Sequence, residues 1–217
     1  MNESLLMFNK LREDLSDYLF HFTKGENAFE ILSKILYEGK LCDMSNSGYI
    51  CFTETPITML PAFFDYIHQQ FKVPKIIAPY GIGIKKDLLF KAGARPVIYG
   101  LPEEENALPP EMKWRFVEMN LPTYDFSWLR EWRIPRRGLL LKPHNIIVIT
   151  NKAEERLLFS EIKVNGDIND IDVLLDDSKI DIKQIYRGIS IDEIAEYNTK
   201  EKLNNYLEEQ QEVIDNG

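Results

Sequence analysis

The stretch Phe126-Ser127-Trp128-Leu129-Arg130-Glu131-Trp132-Arg133-Ile134-Pro135 sets one carboxylate among two tryptophans and two arginines, just before the apolar run Leu139-Leu140-Leu141. A carboxylate beside aromatic rings and flanked by guanidinium groups can be held ionised and in one rotamer. Charge fixed in that way is what a catalytic carboxylate supplies when positive charge develops on a substrate. The same residues also make an edge strand whose Arg and Trp side chains only pack and pair. A partner group elsewhere in the chain would separate the two readings.

His21 is the candidate partner. In Tyr18-Leu19-Phe20-His21-Phe22-Thr23, strand alternation puts His21 and Thr23 on one face. A fixed imidazole beside a hydroxyl can hydrogen-bond a ribose diol or a carboxamide; a core histidine satisfied by main chain is the alternative. The other two histidines, His68 and His144, have no metal-ligand spacing to anything, so no metal centre is expected. Cys51 sits mid-strand without an activating base nearby in sequence, which speaks against cysteine nucleophilic chemistry. A glycosidase-like pairing of Glu54 with Glu131 depends on a separation that sequence does not fix.

The composition bounds the class. A chain of 217 residues with 44% hydrophobic and 28% charged residues can bury a sizeable core and is ordinary for a globular protein. The polar start of the chain shows no signal peptide, and no apolar run approaches a membrane span, so a cytoplasmic protein without membrane contact is expected. Cys42 and Cys51 lack redox or zinc spacing and are expected as reduced, buried thiols. Of 26 Lys+Arg and 35 Asp+Glu, 18 of each fall in residues 1–150, which leaves 8 against 17 in residues 151–217. The whole net charge of −9 therefore belongs to the C-terminal third. Residues 113–142 instead hold seven basic side chains and three acids, a cluster suited to phosphates or to a charged surface strand. The acidic tail argues against non-specific nucleic-acid coating, which leaves nucleic acid a disfavoured partner, and suits either mimicry of nucleic acid or a basic protein partner.

Several elements must position these residues. Helical spacing marks residues 3–18, then a helix after a cap at Asn27 with Ile31, Leu32, Ile35 and Leu36 on one face and a stop at Gly39. Strands are predicted at 18–23, 49–53, 76–84, 97–99, 128–134, 139–141 and 145–150, with a helix over 57–71, a turn at 93–96 and an exposed loop over 101–111. A final helix covers roughly 191–213. Strands and helices interleave irregularly over short links, which predicts α+β, with mixed or antiparallel sheets and flanking helices. Residues 1–150 form the expected core, and residues 151–217 an acidic extension ending in a helix packed on it. No Walker or Rossmann phosphate loop occurs.

Taken in order, His21-Phe22-Thr23, Cys51-Phe52-Thr53-Glu54-Thr55-Pro56, Tyr80-Gly81-Ile82-Gly83-Ile84-Lys85-Lys86, Gly93-Ala94-Arg95-Pro96-Val97-Ile98-Tyr99 and Arg130-Glu131-Trp132-Arg133-Ile134-Pro135 resemble the AbiGi-like proteins. That family is associated with abortive-infection phage defence and often labelled antitoxin. The resemblance covers residues 18–150. More distantly, the layout is similar to the DarT-type ADP-ribosyltransferases. These also have a histidine-bearing strand, a helix ending in glycine, a strand ending two residues before proline, and a late strand with a catalytic glutamate.

The resemblance implies an ADP-ribosyltransferase-like fold and NAD as substrate. His21 and Thr23 would contact the nicotinamide ribose, Asn27 would help hold the dinucleotide, and Phe52 or Tyr49 would stack on the nicotinamide ring. Arg130 and Arg133 would take the pyrophosphate, and Glu131 would be the catalytic carboxylate. Where DNA-modifying relatives carry an arginine two residues before the proline, this chain has Glu54. That points away from DNA-base modification, toward a protein arginine or RNA hydroxyl as acceptor, simple NAD cleavage, or no reaction. The competing expectation is a catalytically inactive antitoxin or binding module whose acidic C-terminal region meets a protein partner, the cognate toxin or antitoxin.

Overall fold

The computed structural model describes residues 12–70, 77–123, 125–159, 162–163, 183–184 and 186–216. In chain order, β1 (Tyr18–Phe22) leads to α1 (Ala28–Glu38), β2 (Lys40–Cys42) and β3 (Ile50–Thr53). A short 3-10 turn then enters α2 (Leu60–Gln70), followed by β4 (Gly81–Lys85), α3 (Lys86–Lys91), β5 (Arg95–Pro96), β6 (Ile98–Gly100) and β7 (Phe116–Glu118). Next come β8 (Glu131–Ile134), β9 (Gly138–Leu140), β10 (Ile146–Thr150), α4 (Ala153–Leu157), β11 (Ile162–Lys163) and β12 (Lys183–Gln184). The chain closes with β13 (Gly188–Ser190), α5 (Ile191–Tyr197) and α6 (Lys200–Asn216).

Seven strands form one sheet in the order β13-β10-β4-β1-β3-β8-β5. Each neighbouring pair runs antiparallel except β10 and β13, which run parallel. The fold is therefore α+β around a mostly antiparallel mixed sheet with helices on both faces. β1 and β4 pair over their full length, from Tyr18↔Lys85 to Phe22↔Gly81. β1 and β3 share a single rung, Phe20↔Thr53. Glycine at 83 in β4 makes room: a Cβ there would stand 2.8 Å from the Phe20 ring and 2.9 Å from Ile147.

Two apolar cores follow from strand alternation. On one face, Leu19, Phe52, Ile82, Ile134 and Val148 pack against Leu32 and Leu36 of α1. These two leucines sit one turn apart, and α1 ends where Gly39 takes the left-handed conformation at φ 63. On the other face, Phe20, Ile147, Ile149 and Ile189 meet Leu60 and Phe64 of α2, Ile194 of α5, and Leu203 and Leu207 of α6. That second core takes in β13, β10 and β1 but no residue of β3, β8 or β5.

Several sequence expectations change. Residues 3–11 lie outside the described residues, and 12–17 form turns and coil rather than the predicted helix. Arg12 to Leu15 closes a turn, with Leu15 N donating to Arg12 O at 3.2 Å. Residues 128–130 are not strand: Ser127–Leu129 is a 3-10 turn, and Arg130 adopts φ 44, so β8 begins at Glu131. The loop over 101–111 holds one 3-10 segment, Pro102–Ala107, and the start of a second, Pro110–Arg115, with no buried residue in either. The single final helix is two. Ser190 and Glu193 form a reciprocal cap that starts α5, and Asn198 at φ 50 ends it.

Past residue 150 the chain rejoins the same sheet through β13, and α6 is stitched to it. The Gln210 side chain donates to Gly188 O at 2.9 Å and accepts from Gly188 N at 3.0 Å. Arg156 and Tyr206 both bond the Glu193 carboxylate. Among the described residues no helix is long and apolar enough to cross a membrane.

Candidate functional site

Glu131 is fixed by its main chain first. Its N–H donates to the Tyr99 hydroxyl at 3.1 Å, and its carbonyl accepts from Val97 N at 3.0 Å. Its side chain then pairs with the residue two positions on: Arg133 Nε donates to Glu131 Oε1 at 2.7 Å, with side-chain exposures of only 12% and 14%. Arg133 has further partners, donating through Nη1 to Trp114 O at 2.8 Å and Phe116 O at 2.9 Å. Its guanidinium carbon stands 4.3 Å over the centre of the Tyr49 ring. Burial is the largest single influence and works against the Arg133 charge, but its bond to Glu131 together with the attraction of Glu131, Cys51 and Tyr49 holds its pKa above the ordinary arginine value.

Register settles who shares this face. Thr53 stands opposite both Phe20 and Glu131, and Cys51 opposite Arg133. Directly opposed residues point the same way, so Glu131, Arg133, Cys51 and Thr53 form one polar patch outside both apolar cores. Cys51 is exposed, which corrects its expected burial, because the second core does not reach β3; Cys42 is half-buried. Desolvation by its neighbours, then the Glu131 charge, push the Cys51 thiol up to about 12. It is a protonated thiol at neutral pH rather than a ready nucleophile.

His21 lies one residue beyond Phe20 and so points to the opposite face, where its ring meets the Phe52 ring edge-on at 5.9 Å. Its Nδ1 bonds the Cys51 carbonyl at 2.8 Å. A carbonyl can only accept, so Nδ1 carries the hydrogen and Nε2 the lone pair of the neutral ring. Burial lowers the imidazole pKa, and the bond to Cys51 offsets part of that effect. The imidazole thus ties β1 to β3 beside their single rung.

The remaining expected ligands scatter. The Thr23 hydroxyl, in a residue only 4% exposed, is placed between Ala28 O at 2.8 Å and Tyr80 O at 2.9 Å. Asn27 holds the cap position of α1 but makes no side-chain cap bond. Phe52 is 3% exposed and belongs to the first core. Tyr49 lies beneath Arg133 on the Glu131 face. Arg130 turns to Asp14, bonding its carbonyl and standing 3.8 Å from its carboxylate. The structure thus brings together Glu131, Arg133 and Tyr49, and sets His21 and Phe52 on the other side of the sheet. Thr23, Asn27 and Arg130 join neither group.

Glu54 is also committed, accepting from Lys86 Nζ at 2.7 Å and from Trp132 Nε1 at 2.8 Å. Trp132 alternates away from Glu131 and packs against the first core. The two carboxylates that sequence could have paired thus stand with separate partners. Sequence reasoning missed Cys51, Thr53 and Tyr99 as neighbours of Glu131; the i, i+2 spacing of Glu131 and Arg133 was the available signal. Among the described residues no group of three or more His, Cys, Asp and Glu gathers as a metal site. No family model matches the sequence, no curated protein matches it, and no solved structure matches its fold.

Proposed function

We propose that this chain is an NAD-using, ADP-ribosyltransferase-like protein of a phage-defence system, with Glu131 as the carboxylate that faces the sugar. The observation that carries this reading is the adjacency of β1, β3 and β8 in the sheet, with Glu131 anchored at the head of β8 outside both cores. These are the histidine-bearing strand, the strand before the proline, and the late glutamate strand of the resemblance. Breaking the nicotinamide–ribose bond leaves an oxocarbenium-like sugar, which a fixed negative charge stabilises more than it does the ground state. Arg133, Tyr99 and Val97 hold Glu131 in place, so little reorganisation is left for the reaction.

On this reading the dinucleotide lies against the Glu131 face, with Tyr49 as its aromatic wall. His21 and Phe52 act as positioning residues from behind, by setting the β1–β3 joint. The test is incubation of the protein with nicotinamide-labelled NAD, alone and with cell extract. Free nicotinamide should appear, and Glu131→Gln should slow its release by about 10² to 10³. Full turnover by that variant would sink the reading.

A second reading is favoured by a specific observation: His21, Thr23 and Phe52 are spent within the fold, away from Glu131. On this reading the chain is a catalytically inactive binding module that meets a basic protein partner through its acidic C-terminal region. α6 offers Glu201 and Glu209 at its exposed surface, while Leu203 and Leu207 are buried. Charge reversal at Glu201 and Glu209, rather than deletion of the helix, is therefore the clean test. Loss of partner binding without nicotinamide release would select this module over the enzyme.

A further inference from the structure

At the foot of β1 and β4, beneath α6, lies a cavity of about 390 Å³. Tyr18, Lys85, Arg187 and Asn204 line it, and Glu131 and Arg133 do not. Arg187 is the unusual member. It is 5% exposed, and its Nε has no hydrogen-bond partner. Its Nη2 donates to His144 O at 3.1 Å and its Nη1 to Leu207 O at a long 3.4 Å. Among the described residues no carboxylate forms an ion pair with it. The guanidinium also meets the Tyr18 hydroxyl, and its Nε hydrogen is left unanswered. A buried guanidinium answered by two main-chain carbonyls and the Tyr18 hydroxyl, with no carboxylate paired to it among the described residues, is an uncompensated charge, which a fold retains at a cost unless something else answers it.

The surroundings share its sign. Lys142, Lys85 and Arg187 add to burial in depressing the His144 pKa. Carboxylates also border the cavity: Asp17, Asp87 and Glu208. Asp17 is engaged by Lys200 and Asn204, and Asp87 by Lys91, which leaves a mixed border around a cationic wall. Such a border repels polyanions such as pyrophosphates, yet tolerates a ligand whose remainder is neutral or cationic.

We propose that this cavity binds a small ligand bearing one oxyanion head, a phosphate monoester or a carboxylate, with Arg187 as its buried anchor. The oxyanion answers the uncompensated charge of the Arg187 guanidinium and draws further attraction from Lys85. The Tyr18 ring and Leu207 border the space for the remainder of the ligand. This inference does not rest on NAD chemistry: Glu131 takes no part in it.

The test is thermal unfolding and titration calorimetry with inorganic phosphate, acetate and pyrophosphate, against chloride at constant ionic strength. Phosphate or acetate should raise Tm saturably by ~20 mM, and the more effective of the two identifies the head group. Pyrophosphate should be weaker than the better of them. Arg187→Met should abolish the shift, with a ligand-free Tm no lower than that of the unaltered chain. Lys85→Gln should weaken binding by about 3- to 10-fold, while the distant Lys34→Gln should not. The proposal is overturned if neither phosphate nor acetate shifts Tm beyond chloride, or if Arg187→Met keeps the shift. Should Arg187→Met fail to fold, an unaltered shift in Lys85→Gln overturns it instead.

Discussion

The two halves of the central sheet differ in how many faces are covered. In the half that holds β10 and β1, apolar side chains lie on both sides; over β3 and β8, only the α1 side is apolar. The residue patterns follow. β10, Ile146–Thr150, is buried at every position. β8 alternates Glu131, Trp132, Arg133 and Ile134, with ionic groups on the uncovered side and the core on the other. A doubly covered strand reads as a continuous apolar run, and a singly covered one as alternation. Side chains able to do chemistry accumulate where the second cover is missing.

That contrast can be broken from either half. The largest effect is expected in the doubly covered half: Ile147→Ala should cost about 2–5 kcal/mol in denaturant unfolding, whereas Cys51→Ala should stay within about 0.5 kcal/mol. If the two cost the same, the difference in cover is not energetic.

Next is the Glu131–Arg133 pair, which is shielded enough to matter. Arg133→Met removes the donor to Glu131, Trp114 O and Phe116 O together, and should cost about 1–3 kcal/mol. A double-mutant cycle with Glu131→Gln should return a coupling of about 1 kcal/mol. No coupling would mean that the pair is held by its frame rather than by its charges.

A smaller effect concerns the exposed thiol. The Glu131 charge is the second cause, after desolvation, that raises the Cys51 pKa. Glu131→Gln should therefore enlarge the thiolate fraction and speed alkylation by roughly 3- to 10-fold at pH 8. An unchanged rate would place the carboxylate too far from the sulfur to be felt.

The smallest effect belongs to the shared seam. His21 has a folded pKa below its ordinary value of 6.5, so protons favour the unfolded chain. Its contribution to stability is complete above pH 6.5 and declines as pH falls from there through the folded value. His21→Gln should flatten stability against pH over that interval, as read from urea midpoints; an unchanged slope would assign the acid sensitivity to other groups.

Much of the fold was legible because periodicity reports cover. The buried strand at 145–150, the helix stopped by Gly39 and the mixed sheet all follow from local pattern and chain order. The gathering of the site was not. That Glu131 shares a face with Cys51 and Thr53, and not with His21, depends on the Phe20↔Thr53 and Thr53↔Glu131 register, which spans more than a hundred residues. A slip by one residue in β3 would reverse it. The left-handed Arg130 was equally hidden, since nothing in its neighbours demands φ 44 there.

The pairing of Gln210 with Gly188 has a consequence for the life of the protein in a crowded solution. β13 is the last strand on one side, and a bare last strand invites a second chain to add to it. The Gln210 amide occupies both the donor and the acceptor of Gly188, in the manner of a neighbouring strand. At the far side, β5 is only two residues long, Pro96 has no N–H to offer, and its carbonyl accepts from Arg115 at 3.0 Å. At each margin of the sheet a side chain thus occupies main-chain groups that an added strand would need, so α6 masks an edge as well as packing the core.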